Sequence, residues 1–228
     1  MKKVLIVPGW LLTKFAYDDL IDSLNKNGYI VDTFKCPGMY DRKSNVRVKD
    51  VLSSLRKIIK ENNYDMIIAH GYSVNWLLQT KSLLKGKKII LASPCYNDNL
   101  KLRFRVLKYF SIIPLLCRRL HLDFKFIWKA YDYIYDMHML YQLYGLTDGY
   151  NYCNIKSAYR ILVETLNLKY DKNKRIKADL IVLQGIEDTL IKHKKDNISK
   201  LFNCSREVRI HCRHNTFEYL TQEIINLL

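Results

Sequence analysis

The chain has 228 residues, 49% of them hydrophobic, and carries 38 Lys+Arg against 22 Asp+Glu for a formal charge of +16. That length and apolar share suit one large globular domain, or a core domain with an insertion. The basic surplus biases the surface toward acidic proteins, anionic lipids, phosphorylated ligands or nucleic acid, and is equally the mark of solvated Lys-rich faces, so it assigns no function by itself.

From the N-terminus, Met1-Lys2-Lys3 is followed by only four apolar residues before Pro8, too short for the apolar core of a signal peptide, and a cytoplasmic location is expected. Short runs rich in Val, Ile and Leu then recur: 4–7, 29–31, 66–69, 89–92, 180–183 and 208–210. Runs of this kind read as parallel strands buried on both faces. Between them lie helix candidates at 17–27, 46–61, 74–85, 194–202 and 216–228. The alternation predicts an α/β domain with about six mostly parallel strands flanked by helices.

The alternation breaks once, after the fourth strand. From Leu100 to Leu168 the chain is aromatic, basic and helix-prone, and the strand pattern returns on its far side. The organisation read from this is a core formed by 1–97 and 169–228, with a helical cap over 98–168. The longest nearly apolar stretch, Tyr109 to Cys117, contains Pro114 and falls far short of the roughly 18 residues of a membrane span. The six cysteines lie apart with no C-x-x-C pair, which indicates neither a zinc site nor a redox motif and favours reduced thiols.

The stretch His70-Gly71-Tyr72-Ser73-Val74-Asn75-Trp76 passes from a strand candidate into a helix candidate. G-x-S-x-N between strand and helix is the setting of a nucleophile elbow, in which a tight turn pushes a serine oxygen out of the sheet edge and the helix start faces developing negative charge. The plainer reading makes Ser73 the cap of the helix beginning at Val74. A serine hydroxyl needs a base to take its proton, and that base needs a partner to fix its tautomer. The fifth strand candidate runs into Gly185-Ile186-Glu187-Asp188, and the sixth into His211-Cys212-Arg213-His214, so the order is serine, acid, histidine.

On these residues the chain resembles an α/β-hydrolase over nearly its whole length, with each feature at the C-terminal end of its own strand, where open α/β sheets place their sites. The resemblance implies a catalytic triad of Ser73, Asp188 and His214. The Gly-x-x-Asp spacing from Gly185 favours Asp188 over Glu187, and a place in the loop favours His214 over His211. His70 then reads as a core histidine or one that supports the site from behind rather than as the base, and His121, His138 and His193 as surface or cap residues. Val7-Pro8-Gly9-Trp10 resembles the family's His-Gly-x loop and implies backbone N–H groups of Trp10 and Val74 as the oxyanion hole, with Pro8 standing where the family has His and Asn75 where it has Gly.

What the resemblance implies is a serine hydrolase cleaving an ester or thioester of an apolar acyl group through an acyl-enzyme, with an editing-type thioesterase on carrier-bound acyl chains as the specific expectation. No cofactor and no metal are called for. The aromatic and basic insertion suggests an apolar acyl tunnel under a surface suited to an acidic carrier protein or an anionic membrane, although most of those aromatics fit better as the cap's own core. The alternatives are a membrane-surface lipase or lysophospholipase, an acyltransferase on the same triad, and a non-catalytic α/β-hydrolase-like binding protein. Nucleic-acid binding ranks last, because no recognisable binding motif accompanies the charge.

Overall fold

The computed structural model describes residues 1–12, 14–95, 116, 153–169, 175–188, 202–211 and 217–228. Six strands, β1 (Lys2–Val7), β2 (Tyr29–Thr33), β3 (Met66–His70), β4 (Lys88–Ala92), β5 (Ile176–Gly185) and β6 (Phe202–Ile210), form one sheet in the order β2-β1-β3-β4-β5-β6. Every pairing is parallel, for example Ile6 with Ile68, Ile68 with Ile90, and Ile90 with Ile181. All six predicted strands are present.

The central strands are apolar on both faces because both are covered. Val4, Ile6, Ile68, Ile90, Ile181 and Leu183 pack toward α1 (Asp18–Lys26) and α5 (Phe217–Asn226). Their neighbours Leu5, Val7, Ile67, Ile89, Leu91 and Val182 pack toward α2 (Val48–Glu61), α3 (Val74–Leu78) and α4 (Ile155–Leu166). A period of two along each strand thus builds two separate cores, one on each side of the sheet.

Two expectations change. The helix predicted over 74–85 ends at Leu78 and is followed by a 3-10 turn at Lys81–Leu83. The carbonyl of Leu77 accepts from both the amide and the hydroxyl of Thr80, which closes the helix early. The segment assigned to the end of the cap also belongs partly to the core. Helix α4 buries Ala158, Ile161, Leu162 and Leu166 against the sheet, so the core resumes from Cys153 rather than 169. Its Glu164 carboxylate accepts from the Arg47 Nε at 2.8 Å and the Val48 amide at 2.9 Å, tying α4 to the start of α2. The remainder of the predicted cap and of the 194–202 helix lies outside the described residues, apart from Leu116 and from Phe202, which begins β6. Among the described residues no helix is long and apolar enough to cross a membrane.

Candidate functional site

The C-terminal ends of β1, β3, β4 and β5 lie side by side, and the loops leaving them carry the residues singled out by sequence. At the end of β3, His70 keeps an extended backbone (φ −115°, ψ 133°) and Val74 is already helical (φ −52°, ψ −38°). Between them the residue with positive φ is Gly71, at 58°. Ser73 has an ordinary right-handed helical conformation (φ −65°, ψ −17°). The sharp turn therefore pivots on Gly71, and Ser73 lies two residues beyond its apex.

The Ser73 hydroxyl has no accessible surface. It accepts a hydrogen bond from the His70 amide at 3.0 Å, and its single proton faces the Val7 carbonyl at 2.8 Å and the His70 carbonyl at 2.9 Å. This corrects the expectation that the bend presents Ser73 as a nucleophile: the hydroxyl faces back into the sheet and joins the ends of β1 and β3. It also corrects the plainer reading, because Ser73 makes no side-chain capping bond to α3. Its role is that of a small polar residue at a close crossing. Ala69, two residues before Gly71, is likewise fully buried, so the stretch reads small, x, Gly, x, small rather than G-x-S-x-N. That shifted spacing was available in the sequence.

Val74 is also displaced from its expected role. Its amide is directed to the Tyr72 carbonyl within the turn, and α3 has only five residues. With Gly71 at the apex, the amide following the turn is that of Tyr72. Asn75 is 2% exposed and donates to the carbonyls of Tyr72 at 2.9 Å and Cys95 at 2.8 Å. It fastens the turn to the loop after β4.

On the β1 side, Gly9 is required by crowding, since a Cβ there would stand 3.0 Å from both the His70 Nδ1 and the Leu12 side chain. The Gly9 amide donates to the Tyr17 hydroxyl, which in turn meets the His70 Nδ1, both at 3.0 Å. The Tyr17 hydroxyl thus links the loop after β1 to the imidazole at the end of β3. Burial pushes the Tyr17 hydroxyl pKa up, so that it stays protonated. His70 is thus a core histidine, as the sequence suggested. Trp10 packs beneath this loop and donates its indole N–H to the Ala158 carbonyl of α4 at 3.0 Å.

On the β5 side, Glu187 is exposed and Asp188 is fully buried. Asp188 lies close enough to Cys95 to act on its thiol: burial first, and the Asp188 charge second, push that thiol pKa well up, against a hydrogen bond with Tyr72. The Cys95 amide donates to the Gly71 carbonyl at 3.1 Å. Asp188, Cys95, Tyr72 and Gly71 therefore form one neighbourhood at the sheet edge. Beside it, Ser93 is fully buried with a positive φ of 44° and a hydroxyl that has no hydrogen-bond partner among the described residues. His211 is exposed, and His214 lies outside the described residues.

No protein-family model and no curated protein matches this sequence. Solved structures do match. A hydrolase from Oleispira antarctica superposes with a TM-score of 0.76 at 14% identity, covering 100% of this chain and 90% of that one. The bromoperoxidase from Bacillus anthracis gives 0.75 at 12% identity, covering 99% and 90%. MenH from S. aureus gives 0.70 at 14% identity, covering 100% and 93%. These likenesses span nearly the whole chain, and with its six-stranded parallel sheet flanked by helices the chain has the α/β-hydrolase fold.

Proposed function

We propose that this protein binds an ester or thioester of an apolar acyl group at the C-terminal sheet edge and does not form an acyl-enzyme on Ser73. The observation that carries this reading is the Ser73 hydroxyl, buried and held between Val7 and His70 while Gly71 occupies the turn. A nucleophile must reach the carbonyl carbon with its oxygen free. Ser73 would have to break its bonds to two strand ends before doing so. The choice of ligand is supported by the fold, by a hydrolase and carboxylesterases among the neighbours, and by the aromatic insertion in the sequence. The basic surplus suits presentation of that ligand by an acidic carrier protein or an anionic surface.

Hydrolysis through Ser73, His214 and Asp188 is the second reading, favoured by the burial of Asp188 next to the turn. The two separate on incubation with 4-nitrophenyl octanoate. Binding alone raises the melting temperature with ester concentration, with no burst of nitrophenolate matching the protein concentration. A stoichiometric burst that Ser73→Ala abolishes establishes the second reading, and an unchanged melting temperature for acyl chains of every length removes the proposed ligand.

A further inference from the structure

Resting on that reading, we propose that Gly71 occupies the position at which a nucleophile would stand, so that the site is an acyl-transfer site complete in its acid and its turn but lacking the attacking side chain. Three observations place that position. The chain reverses at Gly71 with φ 58°, in the strained strand-to-helix turn from which a side chain projects beyond the sheet edge. The loop after β1 presses on the same turn, since a Cβ on Gly9 would stand 3.0 Å from the His70 ring. On the opposite side, the loop carrying the buried Asp188 reaches the turn through Cys95, whose amide is bonded to the Gly71 carbonyl.

The other described candidates for a nucleophile are enclosed. Ser73 is committed to Val7 and His70, Ser93 is fully buried, and the Cys95 thiol is buried with its pKa pushed up beside Asp188, which keeps it from the reactive thiolate. A ligand carbonyl seated over the turn therefore meets the Gly71 backbone, and among the described residues no serine hydroxyl or cysteine thiol is open to it.

The test is the installation of the missing group. In Gly71→Ser, the new hydroxyl oxygen attacks the phosphorus of a fluorophosphonate probe, forming an O–P bond as the P–F bond breaks. Fluoride leaves with the electron pair and the hydroxyl proton passes to a base. Labelling should rise by about a hundredfold or more over wild type, map to position 71, and fall by about a hundredfold on adding Asp188→Asn. Gly71→Ala places a Cβ in the same strained turn and serves as the folding control, to be compared by circular dichroism and thermal unfolding; it should remain unlabelled. A Gly71→Ser protein that folds as well as Gly71→Ala and is not labelled overturns this inference while leaving the binding reading intact. Labelling of wild type on Ser73 overturns both.

Discussion

Trp76→Ala should lower the stability of the protein by about 3–5 kcal/mol, the usual range for emptying a buried tryptophan site. Trp76 is 1% exposed, meets Phe34 edge to face at 6.4 Å, and donates its indole N–H to the Thr165 hydroxyl at 2.7 Å. The substitution removes core volume, an aromatic pair and a buried hydrogen bond together. It also loosens the attachment of α4, which returns the chain to the core after the insertion. For a domain of this size the melting temperature should fall by roughly 10 °C or more, measured by calorimetry. Trp76→Phe keeps most of the volume and should recover more than half of the loss. A fall of only a degree or two in Trp76→Ala would mean that α4 is not held in this way.

Ser73→Ala should act on stability as well. The substitution leaves the Val7 carbonyl and the His70 amide without their partner in a fully buried crossing. An orphaned buried polar group costs about 1–3 kcal/mol, which corresponds to a drop of roughly 2–10 °C. A serine standing free at the apex of a strained turn would behave in the opposite manner. Its removal would relieve strain and leave the melting temperature unchanged or raised, while abolishing covalent labelling. The sign of the thermal shift therefore separates a structural from a nucleophilic serine without a known substrate.

The fold was legible because parallel strands covered on both faces appear as unbroken apolar runs, and Val4 to Val7, Met66 to Ala69 and Ile89 to Ala92 are such runs. Strand β6 was visible only at its end, since Asn203, Ser205, Arg206 and Glu207 are polar residues of a strand at the sheet's edge. The return of the core at Cys153 was hidden, because α4 has the amphipathic pattern of any cap helix and only its burial on the sheet assigns it. At the site, the spacing after Gly185 singles out Asp188, and the structure buries Asp188 while leaving Glu187 exposed. The turn is legible in the sequence as well, and its positive φ falls at Gly71, two residues before Ser73. Small residues stand at Ala69, Gly71 and Ser73, so two alignments of the elbow fit the letters equally. Backbone dihedral angles decide between them, and only Gly71 has the positive φ of the apex.

On the proposed binding reading, this fold carries no reactive serine at position 73. The most direct measurement is exposure of the wild-type protein to an alkyl fluorophosphonate across a range of pH, followed by mass-spectrometric mapping of the adduct. Ser73 should remain unmodified at every pH at which the protein stays folded. A stoichiometric adduct on Ser73, absent from Ser73→Ala, would contradict it.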